Sequence, residues 1–153
     1  MARFSGTHRE SFTVDRPVDA VQAHFSDLDM IVRHYGPIER SEKLDADTLR
    51  LTLQEKGAKG IRYQAIYTVR YERGTPGLLR WTTIQSDNLW SSGEARFAAE
   101  GPGRTRVDYQ QTIETEIPVP RLLAGMAEGL VRSEIVGGVK AYLGRMRAAA
   151  IAS

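Results

Sequence analysis

Residues 117–146 read IPVPRLLAGMAEGLVRSEIVGGVKAYLGRM, and this stretch decides the fold. The residues before it, Gln110 to Glu116, alternate like a strand, and Pro118 and Pro120 break that strand. From Arg121 to about Met146 the apolar residues recur at helical spacing. Leu123, Met126, Ala127, Leu130, Val131, Ile135, Val139, Tyr142 and Met146 form one stripe. Nearly everything upstream, apart from residues 17–36, alternates with a period of two. Many half-wet strands closed by one long amphipathic helix require that helix to lie across the dry face of the sheet. That layout leaves room for a cavity between the two layers.

The chain has 153 residues, enough for a single domain over 1–153 with a full core. Its 41% apolar and 26% charged residues are those of an ordinary globular protein. With 21 basic and 19 acidic residues the net charge is only +2, and the arginines are scattered from Arg3 to Arg147. A nucleic-acid partner is therefore not expected, since such proteins concentrate their basic residues on one face. There is no cysteine, which excludes disulfides, thiol nucleophiles and zinc–thiolate sites. His8, His24 and His34 have no metal-ligand spacing, so neither metal nor cofactor is expected. Met1 to Arg9 has no apolar run like that of a signal peptide, and no segment reaches the ~20 apolar residues of a bilayer span. A cytoplasmic protein without an integral membrane segment, monomeric or homodimeric, is the expectation.

Along the chain, Thr7 to Asp15 reads as a first strand with Phe12 and Val14 on one face. Pro17 opens a short helix to Phe25, with Val18, Val21 and Phe25 as its stripe. Asp27 caps a second, Leu28 to Tyr35, which Gly36-Pro37 stops. Strands follow over Ile38–Asp45, Thr48–Glu55, Ile61–Glu72, Leu78–Gln85, Ser92–Glu100 and Arg104–Ile117, with turns at Ala46-Asp47, Gly57 to Gly60, Gly74 to Gly77, Ser86 to Asn88 and Gly101 to Gly103. About seven strands joined by hairpin-length turns make a curved antiparallel sheet with one face wet. The fold class is α+β.

The order of elements resembles the helix-grip fold of the START / Bet v 1-like (SRPBCC, polyketide cyclase/dehydrase and lipid transport) superfamily. Thr13-Val14-Asp15-Arg16-Pro17-Val18-Asp19-Ala20-Val21 is similar to that superfamily's opening, a strand passing through proline into a short helix. Gly101-Pro102-Gly103-Arg104-Thr105-Arg106-Val107 is similar to its glycine turn before the last strand. The resemblance runs from about Thr7 to Arg147. It implies two short helices after strand 1, a long C-terminal helix across the concave face, and an apolar or amphipathic ligand beneath that helix. Tyr35-Gly36-Pro37-Ile38-Glu39-Arg40-Ser41 is only loosely similar to the motif of the quinone-binding branch.

Candidate ligand-binding residues follow from strand parity. If Phe97 and Val107 face the core, Tyr109 and Gln111 do as well; Tyr63 and Tyr67 share an inward face, and Trp81 faces inward on the next strand. Aromatic rings with a few polar ends on a concave face are how small-molecule pockets are built; core aromatics with hydroxyls at the rim are the alternative. Met126 and Leu130 complete the set from the helix. Candidate polar cavity groups are His34, at the end of the second helix, and Arg40 and Glu42, whose parity with Ile38 and Leu44 turns them inward as a charged pair; if the strand bulges, both face water instead. Gly125, Gly129, Gly137, Gly138 and Gly144 in the long helix mark a kink, a close approach or a loosely ordered end.

Three functions compete. The first is binding or transport of a hydrophobic small molecule of lipid, polyketide, isoprenoid or quinone type. The second is a polyketide cyclase or dehydratase using acid/base groups in the same cavity. The third is a co-chaperone-like interaction module, for which Leu89-Trp90 is the candidate exposed patch. No catalytic signature such as GxSxG, HExxH or a phosphate loop is present, which favours the first.

Overall fold

The computed structural model describes residues 1–58 and 60–153, and Ala58 by its backbone alone. The expected turn over Gly57 to Gly60 includes Lys59 and lies outside the described residues. Among the described residues nine strands and three helices follow in the order β1 (Ala2–Val14), α1 (Val18–Ser26), α2 (Leu28–His34), β2 (Ile38–Asp45), β3 (Thr48–Leu53), β4 (Lys56–Ala58), β5 (Ile61–Tyr63), β6 (Ile66–Glu72), β7 (Leu78–Ser86), β8 (Leu89–Ala99), β9 (Thr105–Ile117) and α3 (Arg121–Ala152). Seven strands form one antiparallel sheet in the order β1-β9-β8-β7-β6-β3-β2, and β4-β5 is a separate hairpin.

The element starts and stops have local causes. The Asp27 carboxylate accepts from the backbone N–H of Asp29 at 2.9 Å, capping α2. Gly36 ends α2 with φ at 126°, a conformation other residues rarely adopt. β1 begins at Ala2 rather than Thr7 because β9 pairs with it along its whole length, from Ala2 opposite Ile117 to Val14 opposite Thr105. The expected strand Ile61–Glu72 is divided instead. Asn88 stitches the break, its side chain donating to the Gln64 carbonyl at 2.6 Å and accepting from the Ile66 N–H at 3.1 Å. Alternation survives the break, since Ala65, Tyr67, Val69 and Tyr71 are all buried.

The core lies on the concave face, where Phe12, Leu49, Leu51, Leu79, Trp81, Phe97 and Val107 pack under α1, α2 and the second half of α3. Helix α3 has 32 residues, about 48 Å at 1.5 Å per residue. Its buried residues are Val139, Tyr142, Leu143, Met146 and Ala150, all in the C-terminal half. The N-terminal half rests only its inner edge, Ala124, Ala127 and Val131, on a small second cluster with Ala2, Phe4 and Val119.

This corrects part of the expected stripe. Leu123, Met126 and Leu130 are 47%, 83% and 68% exposed. The inward line of α3 runs through Ala124, Ala127, Val131, Ile135 and Val139, whereas Leu122, Met126 and Leu130, spaced by four, form a second row turned outward. The helix is apolar over a wider arc than the sheet can cover.

Two strand glycines admit close neighbours, one within the sheet and one from α3. A Cβ on Gly93 would lie 2.5 Å from the Trp81 ring and closer still to the Gln110 carbonyl oxygen, so β8 accepts no side chain where Trp81 crosses it. A Cβ on Gly6 would lie 2.8 Å from Ile135 Cγ2, so Gly6 lets α3 settle on β1. The five helix glycines have the opposite character: a Cβ on any of them meets nothing within 4 Å. They mark no close approach.

Gly93→Ala should therefore destabilise by about 1–3 kcal/mol through overpacking against backbone. Gly125→Ala and Gly129→Ala should each stabilise by about 0.5–1 kcal/mol, the interior-helix preference for alanine. Thermal denaturation followed by circular dichroism checks both. Equal melting temperatures for Gly93→Ala and the native chain would contradict the packing account.

Candidate functional site

Two cavities lie between the sheet and α3, and they share Tyr35 and Tyr142 as a common wall. The inner one holds only about 20 Å³ and is lined by aromatic rings of the sheet, with Ser91 and Gln111 as polar groups. The outer one is an open groove of about 380 Å³. Its floor is Leu53, Ala65, Leu89 and Ile113, its roof is Val131, Ile135 and Val139 of α3, and Lys56, Glu134 and Arg145 put charge on its lining. The groove exists because α3 lies along β1 and on the core at its C-terminal half, and stands off the strands farther across the sheet.

The inner cavity is organised around Gln111 on β9. The Tyr109 hydroxyl donates to Gln111 Oε1 at 2.7 Å. Gln111 Nε2 donates to Ser91 Oγ at 3.0 Å and to the Tyr35 hydroxyl at 3.3 Å. Gln111 is only 2% exposed, so these bonds satisfy an amide that burial would otherwise penalise. Tyr71, Trp81 and Tyr109 form a continuous tilted stack, with centroids 6.3 Å and 5.3 Å apart. Tyr35 and Tyr142 meet edge to face at 5.3 Å.

Among the described residues, two that line these cavities carry buried hydroxyls with no partner in good hydrogen-bonding geometry: Tyr67 at the inner cavity and Thr115 at the groove. Burial pushes the pKa of Tyr67, Tyr71, Tyr109 and Tyr142 well up, and that of the more exposed Tyr63 up as well. The Tyr35 hydroxyl lies close enough to raise Tyr67 further. All five rings are therefore neutral around pH 7.

The structure separates the candidate residues into groups. Tyr67, Trp81, Tyr109 and Gln111 line the inner cavity together. Tyr63 lines the groove and anchors itself by donating to the Asn88 carbonyl at 3.1 Å. Phe97 faces inward but packs on Phe25, with centroids 5.9 Å apart, and lines neither cavity. Met126 and Leu130 point to solvent and touch neither.

Arg40 and Glu42 are exposed on β2, an edge strand with register irregularities at both ends, and Leu44, whose parity was to bury it with them, is exposed as well. Among the described residues neither makes an ion pair. The inward charged pair is thus not formed. His34 is half-buried outside both cavities; its carbonyl accepts from Arg145 Nε at 2.8 Å, and partial burial and then the charges of His24, Arg33 and Arg145 lower its pKa.

The other two histidines are enclosed. His24 Nε2 meets the Met146 carbonyl oxygen at 2.8 Å, joining α1 to α3. His8 is 8% exposed, opposite Gln111 on β9, with Nε2 2.8 Å from Glu10 Oε1. Trp90 sits on the convex face beneath the Arg3 guanidinium, 4.6 Å from the ring centroid, rather than in an open apolar patch.

Sequence reasoning missed Tyr35, Ser91 and Thr115; Gly138, singled out with Gly137 as a kink point or a place of close approach, lines the groove. The parity that placed Gln111 inward places Ser91 and Thr115 inward too, since Ser91 lies opposite Ile113 and Leu89 opposite Thr115. Tyr35 had no such signal, because it is in a loop.

An α+β protein with a ligand-sized groove under its last helix is what the fold and site define. No family model and no curated protein matches the chain. Solved structures do. A Thermus thermophilus protein superposes with a TM-score of 0.69 at 20% identity, covering 95% of this chain and 97% of that one. A START superfamily protein from Mycobacterium smegmatis gives 0.63 at 17% identity over 92% and 96% of the chains. The Zhui aromatase/cyclase from a Streptomyces species gives 0.66 at 15% identity over 95% and 93%. The chain has the helix-grip fold of START and Bet v 1-like proteins. Among the described residues no helix is long and apolar enough to cross a membrane.

The buried tyrosines give the site a pH signature. Their folded pKa values lie above the ordinary value of 10, so the stability they contribute is full below pH 10 and is lost as pH rises above it. In an alkaline titration followed by tyrosinate absorbance, these five rings should ionise late and together with unfolding. Five rings ionising near 10 in a chain that keeps its fold would contradict the burial described.

Proposed function

We propose that the protein binds a hydrophobic small molecule in the groove between its sheet and α3. The observation that carries this reading is the groove itself: about 380 Å³, mostly apolar, within the size range of small-molecule sites. A ligand there would bury the side chains of Leu53, Leu89, Ile113, Val131 and Ile135, at a gain of about 25 cal/mol per Å² of apolar surface. The groups that acid/base chemistry would have used, His34, Arg40 and Glu42, line neither cavity, which favours binding or transport over the cyclase alternative. Trp90, the patch expected for the interaction-module alternative, lies under Arg3 instead of standing open.

The glycine pair in α3 supplies a clean test. Gly138 lines the groove and Gly137 does not, and both have open space at the Cβ position. Gly138→Phe should fill the groove without disturbing the core and weaken binding of the apolar dye N-phenyl-1-naphthylamine by about tenfold, the loss of ~1.4 kcal/mol of apolar contact. Gly137→Phe should leave binding unchanged. Equal effects from the two, or no dye binding at all by the native protein, would count against the reading.

A further inference from the structure

Resting on that binding reading, we propose that the inner cavity is a subsite for one neutral carbonyl oxygen, received by the Tyr67 and Tyr35 hydroxyls, and that the ligand is an apolar molecule ending in a ketone, quinone or ester carbonyl.

The hydrogen bonds of the inner cavity leave it short of acceptors. Gln111 Oε1 already receives the Tyr109 hydroxyl. Ser91 Oγ and the Tyr35 oxygen each receive a hydrogen from Gln111 Nε2. The Tyr35 hydroxyl hydrogen remains to be donated, and the Tyr67 hydroxyl, beside it and only 2% exposed, has no partner in good hydrogen-bonding geometry among the described residues. A buried donor without an acceptor costs about 1–3 kcal/mol. That cost is recovered when an acceptor arrives, and a carbonyl oxygen offers the two lone pairs that two phenols can share.

The size and polarity of the space restrict the group further. About 20 Å³ is the room of a single water-sized group, so an oxygen enters and a ring does not. Every lining residue is uncharged, from Phe25 and Ile31 through the tyrosines to Ser91 and Gln111. A carboxylate or phosphate would lose its hydration there without meeting a cation, so the head is neutral.

The path from the groove passes between Tyr35 and Tyr142, the wall common to both cavities. Tyr35 is the movable half. It follows the last residue of α2, its bond from Gln111 is the longest of the three at 3.3 Å, and Gly36 beside it has φ at 126°. Tyr142 is fixed, 5% exposed within the seated half of α3. Rotation of Tyr35 exchanges its bond to Gln111 for one to the carbonyl, while the apolar body of the ligand stays in the groove.

The test compares two probes of one shape, 2-acetylnaphthalene and 2-isopropenylnaphthalene, by isothermal titration and tryptophan quenching. The native protein should bind the ketone about tenfold more tightly, the worth of one or two net hydrogen bonds in a buried site. Tyr67→Phe should bring the ratio close to one, leave the hydrocarbon's affinity unchanged, and not lower the melting temperature, since it deletes a hydroxyl that has no partner. Tyr35→Phe should reduce the ratio as well and serves as a second variant should Tyr67→Phe fold poorly. Equal binding of the two probes, or a ratio that survives both substitutions, overturns the carbonyl subsite while leaving the hydrophobic-binding reading intact. If neither probe binds, that reading falls and the subsite with it.

Discussion

The structure depends on how one long helix is held against a curved sheet. A helix of about 48 Å cannot stay in contact with a surface that bends away from it. Helix α3 is therefore seated at Val139 to Ala150, where Tyr142, Leu143 and Met146 enter the core, and steadied farther along by the approach of Ile135 to Gly6 on β1. Between those supports and the strands on the far side of the sheet the layers part. The groove is the geometric remainder of that mismatch, and its apolar lining follows from strand alternation, which presents the same dry face whether or not the helix reaches it.

Most of the fold was legible because alternation and helix punctuation are local. Asp27 before α2, Gly36-Pro37 after it, and the proline pair before α3 act on neighbouring residues only, and they fall where the sequence placed them. What was not legible depends on partners distant in sequence. The start of β1 at Ala2 is set by β9, more than a hundred residues later. The break between β5 and β6 is made by Asn88 reaching across from the start of the β8 hairpin.

The site divides along the same line. Parity in β6, β7 and β9 put Tyr67, Trp81, Tyr109 and Gln111 on the concave face, and the structure brings them around one cavity. Parity alone turned Arg40 and Glu42 inward; the register irregularities at the ends of edge strand β2 leave them in solvent, the outcome expected if that strand bulged. Spacing could not say which side of a doubly apolar helix meets the sheet. Met126 and Leu130 satisfy the same rule as Val131 and Ile135 and end on the opposite face. Hydrogen bonding was hidden as well: Gln111 was visible as a buried amide, but its bonds to Tyr35 and Ser91 join residues 76 and 20 positions away.

The central claim is that the space under α3, and not its outward apolar row, takes a ligand. An amide chemical-shift titration of the native protein with 2-acetylnaphthalene tests it most directly. The account predicts that Leu53, Leu89, Ile113 and Val139, from the floor and roof of the groove, shift together and saturate at one dissociation constant. Shifts confined to Leu122, Met126 and Leu130 on the outer face of the helix, with the groove silent, would contradict it.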